Sequence, residues 1–217
     1  MLRGDLLDDE TFDDRLPISL RHKAALHFTP VDVARYAAGL LAPDPGMFVL
    51  DVGAGAGKFC IAAALAVPNA RFVGVEQRPH LVRFATRLAS EWAVSNVRFV
   101  LGQALDLDWS LYDAFYFYNP FGEQLFEPAL LLDHTIDFDP ASFALYVMGA
   151  RQRLGQARLG TRLVTYHGYG GSPPQGYELV SVTSIGTDAV ELWIKTTTQP
   201  TLPTLPTAGP SCEGAPA

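Results

Sequence analysis

The sequence predicts an α/β fold, a doubly wound and mostly parallel sheet of seven strands that ends in an antiparallel hairpin. Three observations predict it. Five short apolar runs alternate with helical or loop segments between residues 48 and 167. A glycine-rich turn joins the first apolar run to a helix-like segment. Two strand-like segments, residues 177–184 and 189–196, flank a Gly-Thr-Asp turn at the end of the series, and we expect them to pair as the hairpin.

The first strand and the turn after it organise the chain. Residues 48–52 read as a buried parallel strand, residues 53–57 form a Gly-x-Gly-x-Gly turn, and residues 59–65 read as a tightly packed helix. Glycine adopts positive φ and has no Cβ to hold a ligand away from the backbone. The free N–H groups at the start of the helix point at the turn. Such a strand, turn and helix are half of a nucleotide-binding unit.

A second strand, residues 71–76, ends in Glu76 at the same edge of the sheet, where an acidic residue can hold ribose hydroxyls. The third glycine comes one residue earlier than in the dinucleotide fingerprint, and Lys58 takes its place, which disfavours a nicotinamide cofactor. Asp51, the glycine turn and Glu76 together resemble the class I S-adenosylmethionine (SAM) methyltransferases, over about residues 28–196. The resemblance implies a seven-stranded sheet, SAM as the cofactor and methyl transfer as the reaction.

The resemblance also implies a set of cofactor-binding residues. The third strand, residues 97–101, is followed by Gly-Gln-Ala where the family usually has Gly-Asp-Ala. Gln103 can still accept from the adenine amine through its carbonyl oxygen. Phe28-Thr29-Pro30 resembles an aromatic–Thr–Pro element that precedes the first strand in related proteins and lies there over the methionine end of the cofactor. Thr29 would also suit the N-cap of a helix over residues 31–41. The residues expected to bind the cofactor are Phe28, Thr29, Asp51, Gly53, Ala54, Gly55, Gly57, Glu76, Gln77, Gln103, Ala104 and Asn119.

A second motif, Asn119-Pro120-Phe121-Gly122, follows the fourth strand, residues 112–118. It resembles the Asn/Asp-Pro-Pro-Tyr/Phe motif of amino-directed methyltransferases, with one proline missing. The resemblance implies Asn119, Pro120 and Phe121 as catalytic residues: the Asn side chain and a backbone carbonyl accept from an amine, and an aromatic ring face holds the developing cation. The alternative is a turn with a buried Asn.

His167 ends the fifth strand, residues 161–167, and is the histidine best placed to act as a general base, which an oxygen acceptor would need. The other four histidines are scattered, so no metal site is predicted. Arg78, Arg83 and Arg87 fall mostly off the apolar face of a helix over residues 79–93, and we expect them to be solvated.

Composition bounds the function. The chain has 217 residues, enough for one α/β domain, and its net charge of −7 makes nucleic acid an unlikely partner because phosphate neutralisation dominates such binding. No apolar run approaches the roughly 20 residues of a membrane span, and no signal peptide or disulfide framework is evident. We therefore expect a cytoplasmic protein without a membrane partner.

The predicted organisation is an acidic mobile arm at residues 1–15, a methyltransferase domain at 16–197 and a disordered proline-rich tail at 198–217. The leading function is N-directed methyl transfer to a protein lysine or another amine. A small-molecule O- or N-methyltransferase, a non-catalytic SAM-binding protein and a NAD-dependent oxidoreductase are the alternatives.

Overall fold

The computed structural model describes residues 7–198, which contain a single seven-stranded sheet. Its strands in chain order are β1 Phe48–Val52, β2 Arg71–Glu76, β3 Val97–Leu101, β4 Ala114–Tyr118, β5 Arg162–Tyr166, β6 Tyr177–Ile185 and β7 Asp188–Lys195. Across the sheet they lie in the order β3-β2-β1-β4-β5-β7-β6. The first five are parallel, and β7 runs antiparallel to both β5 and β6. The predicted fold class is confirmed.

Seven helices accompany the sheet in the described part of the chain: α1 Asp9–Asp13, α2 Ile18–Arg21, α3 Ala24–His27, α4 Val31–Leu41, α5 Lys58–Ala66, α6 Pro79–Glu91 and α7 Pro140–Gln156. Two short 3₁₀ turns, Gly122–Leu125 and Pro128–Leu130, follow β4. Pro128 lacks the N–H that a continuous helix would need. None of the described helices is long and apolar enough to cross a membrane.

Helices cover both faces of the sheet because strand residues alternate between them. Val49 packs with α4, α5 and α6 on one face, whereas Leu50 packs with α7 on the other. Tyr116 of β4 stacks on Phe59 of α5, with ring centroids 3.7 Å apart. This double cover explains why β1 is apolar almost throughout, and it leaves the carboxyl ends of the parallel strands as the edge at which a ligand can approach.

The described part of the N-terminal segment, which was expected to be a mobile arm, contains a helix that packs against the core. Residues 7–15 carry α1, and Phe12 is fully buried in the core. Lys58, only 3% exposed, places its Nζ 2.8 Å from an Asp9 carboxylate oxygen and 2.7 Å from one of Asp13. Two of the acidic residues therefore neutralise a buried cation instead of facing solvent, and they hold α1 against α5. Residues 1–6 of the predicted arm and 199–217 of the predicted tail lie outside the described residues.

Candidate functional site

The five parallel strands bring five sequence-selected positions to one edge of the sheet. Gly53, Gln77, Gly102, Asn119 and His167 each follow the end of one strand, from β1 to β5. Two adjoining clefts open at this edge. The first cleft encloses about 730 Å³ and the second about 880 Å³, part of each being open to solvent.

The glycine turn forms the wall shared by the two clefts. Gly53 and Gly55 have φ of +82° and +54°, and both line the first cleft, Gly53 also the second. A Cβ on Gly55 would lie 2.9 Å from the ring of Phe28, so the turn and that ring fit only because the side chain is absent. Gly57 lines neither cleft. A Cβ there would lie 2.7 Å from that of Ala85, so close packing against α6 requires this glycine.

Glu76 presents a fixed carboxylate to the first cleft. It is 6% exposed; its Oε2 accepts from the Gly55 N–H at 3.0 Å and its Oε1 from the Arg78 N–H at 2.9 Å. A carboxylate has about four acceptor positions, so two remain for a ligand. A ribose diol is a donor pair that this group could bind, and the residues present therefore fit an adenosine cofactor.

Arg78 is the main residue that the sequence analysis missed. It was expected in solvent, but it is 5% exposed, because it lies at the N-cap of α6, outside the helical periodicity used for the prediction. Its Nη2 donates to both carboxylate oxygens of Glu123 at 3.0 and 2.9 Å, and its Nε donates to Asp133 at 3.1 Å. The guanidinium also faces the ring of Phe138 at 5.3 Å. This ion cluster of Arg78, Glu76, Glu123 and Asp133 ties the end of β2 to the segment after β4.

Gln77, Gln103 and Ala104 also line the first cleft. Gln103 Nε2 donates to Gln77 Oε1 at 3.1 Å and lies 3.4 Å from the Tyr146 hydroxyl. With both contacts made by Nε2, Gln103 Oε1 is left to accept from a ligand amine.

Three other residues predicted to bind the cofactor line neither of the two clefts but a third cavity next to the glycine turn. Thr29, Asp51 and Ala54 line a smaller cavity there, and Phe28 lines both this cavity and the first cleft. Burial raises the pKa of the Asp51 carboxyl to about 7, although the Cys60 thiol, whose Sγ lies 3.3 Å away, favours the ionised form. The capping prediction for Thr29 is wrong. Pro30 is the N-cap of α4, and the Thr29 hydroxyl instead contacts the Tyr116 hydroxyl at 3.0 Å.

Asn119, Pro120 and Phe121 separate the two clefts. Asn119 lines the second cleft with φ of +41°, and its N–H donates to the Gly168 carbonyl at 3.0 Å. Within residues 7–198 its side-chain amide makes no hydrogen bond, which is unlike an Asn that holds a turn together. Pro120 lines both clefts. Phe121 points the other way: it lines the first cleft and stacks on Tyr146, with centroids 5.7 Å apart.

His167 lies on the second cleft beside Tyr118. Its φ is +59°, so Asn119 and His167, at the ends of neighbouring strands, both adopt a left-handed backbone. Strained residues of this kind cluster at functional sites. The His167 Nδ1 lies 2.8 Å from Asp188 Oδ2, across the turn that joins β6 and β7.

Comparison with known proteins agrees with this geometry. Residues 43–121 match a family described as a methyltransferase domain, a stretch that runs from before β1 through the glycine turn to Phe121. No curated protein sequence matches the chain.

Three similar solved structures share the fold. An RNA methyltransferase from Salinibacter ruber, in complex with S-adenosyl-L-homocysteine, is 23% identical over 80% of this chain and 96% of its own, with a TM-score of 0.53. TrmN from Thermus thermophilus is 24% identical over 80% of this chain, with a TM-score of 0.57, and the match spans only 52% of that protein. The precorrin-6y C5,15-methyltransferase of Geobacter metallireducens GS-15 is 14% identical over 79% of this chain and 91% of its own, with a TM-score of 0.52. Residues 43–121 thus match a methyltransferase domain, and the described chain has the fold of the class I SAM-dependent methyltransferases.

Proposed function

We propose that the chain transfers the methyl group of SAM to an amine nitrogen, with a lysine side chain of a protein as the leading acceptor. One observation carries the proposal. Asn119 presents to the second cleft a side-chain amide that makes no hydrogen bond with the described residues, and Pro120, next to it, borders the first. An acceptor held by Asn119 would therefore lie at the boundary between the two clefts, where a methyl group can pass from one to the other.

The first cleft is the proposed cofactor site. Glu76 would hold the ribose hydroxyls through its two remaining acceptor positions, Gln103 Oε1 would accept from the adenine amine, and Gly53 and Gly55 would allow the cofactor to approach the backbone. SAM, when bound there, supplies a methyl group that its sulfonium charge has already activated. The protein then contributes mainly by positioning the acceptor and excluding water.

The second cleft is the proposed acceptor site. The Asn119 Oδ1 can accept from the acceptor's N–H and orient the nitrogen lone pair. Because Phe121 faces the first cleft, the ring that would stabilise a developing cation on the acceptor side is that of Tyr118, which lines the second cleft. Glu123 also lines this cleft, with its carboxylate bound to the Arg78 guanidinium.

Other acceptors remain outcomes of the test. A small-molecule amine would use the same contacts, whereas a hydroxyl would need a base. The Salinibacter ruber protein is named as an RNA methyltransferase, but at 23% identity its likeness extends to the fold alone. The net charge of −7 opposes binding to a polyanion. A protein that binds SAM without transferring the methyl group is the remaining alternative.

The test combines binding with an unbiased search for the acceptor. Calorimetry with S-adenosylhomocysteine should give a micromolar or tighter dissociation constant, with NAD much weaker. Labelled SAM is then incubated with the protein and with separated protein, RNA and small-molecule fractions of a lysate. We expect label in the protein fraction, recovered as methyl-lysine after hydrolysis, and about tenfold less or lower with Asn119→Gly. Label only in RNA, or in a base-labile ester, would contradict amine chemistry; cofactor binding without label in any fraction would favour the non-catalytic alternative.

A further inference from the structure

We propose that His167 is the proton acceptor of the reaction and that Asp188 positions it. This inference rests on the proposed amine chemistry. At neutral pH a lysine side chain is mostly an ammonium, which has no lone pair with which to attack a methyl group. A group that removes one proton in the second cleft would therefore be required before transfer.

The contacts of His167 fix which of its nitrogens can act. Asp188 Oδ2 lies 2.8 Å from Nδ1, so Nδ1 carries the proton and donates to the carboxylate. Nε2 then has the free lone pair. It lies 3.4 Å from the Thr187 hydroxyl, and both His167 and Thr187 line the second cleft. A histidine held at one nitrogen by a carboxylate, whose other nitrogen makes its only hydrogen-bond contact among the described residues with this hydroxyl, has the arrangement of an oriented general base.

The proton step is simple. The N–H bond of the acceptor ammonium breaks, its electron pair stays on the nitrogen as the attacking lone pair, and the proton forms a bond to Nε2. The imidazolium that results is stabilised by Asp188. After product release the proton passes to solvent, which reaches His167 because its side chain is 34% exposed.

The other titratable groups around the cleft are less suited to this role. Burial lowers the pKa of His27, and its Nε2 is occupied by the Leu130 carbonyl at 2.8 Å. Burial raises the pKa of Tyr118 to about 12, so its hydroxyl stays protonated at neutral pH. Glu123 is bound to the Arg78 guanidinium. Tyr166, whose ring lies 4.4 Å from that of His167, donates its hydroxyl to the Ile185 carbonyl.

A purely structural role for the pair would be to clamp the end of β5 to the turn between β6 and β7. If the pair only clamped these elements, His167 could adopt either neutral tautomer. Its loss would then affect protonated and neutral acceptors equally. Two measurements separate the roles.

The first is nitrogen-15 NMR of the histidine-labelled protein, with His167 assigned by comparison with His167→Asn. We expect the Nδ1–H tautomer in the neutral imidazole, and a loss of this preference in Asp188→Asn. The Nε2–H tautomer would overturn the proposal without any assay of turnover.

The second compares two probe amines at about neutral pH, n-butylamine and trifluoroethylamine. The first is mostly an ammonium, whereas the fluorine atoms keep the second mostly neutral. Asn tolerates the left-handed backbone at position 167, so His167→Asn removes the base with little added strain. We expect it to lower kcat/KM for n-butylamine by about 100-fold or more and for trifluoroethylamine by less than about tenfold. Asp188→Asn should show the same selectivity to a smaller degree.

The exposed His22 gives a control, His22→Asn, which should leave both rates unchanged. Equal losses for the two amines in His167→Asn would overturn the role of His167 while leaving amine methylation in place. If the wild-type protein bound S-adenosylhomocysteine but methylated neither these amines nor lysine in the protein fraction, the proposed amine function itself would fail, and the inference with it.

Discussion

Replacing Arg78 by Met should destabilise the protein strongly, because the guanidinium is the shared partner of three carboxylates. The Arg78 and Glu76 side chains are each 6% exposed, Glu123 is 17% exposed and Asp133 is 19% exposed. Methionine has a similar length but no charge, so all three acids would be left near one another without their cation. Removing one partner of a buried ion pair costs about 3–5 kcal/mol, which for a chain of this size corresponds to a fall in Tm of about 6–20 °C.

Urea unfolding followed by circular dichroism measures this loss directly. Arg87→Met is the matched control, since Arg87 lies on the same helix α6, pairs with Glu91 and lies over a phenylalanine ring, but its side chain is 66% exposed. An exposed pair contributes about 0–1 kcal/mol. The loss in Arg78→Met should also shrink as pH falls through the carboxylate range, because protonated acids no longer need the cation. Similar losses in the two variants, or a loss that does not depend on pH, would refute the reasoning.

Three further predictions follow from the site. Glu76→Gln should weaken S-adenosylhomocysteine binding by about tenfold or more in calorimetry, since a neutral amide makes weaker bonds to ribose; unchanged affinity would remove Glu76 from the cofactor site. Asn119→Gly, which avoids the strain of Ala at φ +41°, should lower turnover at least 10-fold or so with little change in cofactor affinity, and Asn119→Asp should retain part of the activity. Burial raises the pKa of Asp51 to about 7, above its value in the unfolded chain, so the native state binds more protons than the unfolded state between these two values. The free energy of unfolding should therefore fall as pH rises from about 4 to about 7. Asp51→Asn should flatten that part of the pH–stability profile measured by urea unfolding, and an unchanged slope would contradict the assignment.

The sequence predicted those features that follow from local pattern and sheet geometry. Glu76, Gln103 and Asn119 could be brought to one edge because the carboxyl ends of parallel strands must meet there. The helix predicted over residues 31–41 and the strand predicted over residues 97–101 have the same bounds in the structure, as α4 and β3. Only the predicted N-cap of α4 was wrong.

Features that depend on distant partners were not predictable in this way. The acids of α1 looked solvated because their partner, Lys58, lies 45 residues beyond Asp13. Arg78 looked solvated because its carboxylates come from β2 and from the loop after β4. The orientation of Phe121 depends on Tyr146, a residue of α7, and no local pattern connects the two.

The pairing of Lys58 with α1 has a consequence for which nucleotides the fold can accept. Lys58 is the first residue of α5, and dinucleotide-binding proteins place a pyrophosphate at the corresponding helix N-terminus. Here one positive charge meets two negative ones at that point, those of Asp9 and Asp13. A phosphate group approaching the N-terminus of α5 would meet an excess of negative charge, and α1 would lie in its path. SAM carries no phosphate and loses nothing by this arrangement. The acidic N-terminal helix therefore disfavours a phosphate at this end of α5.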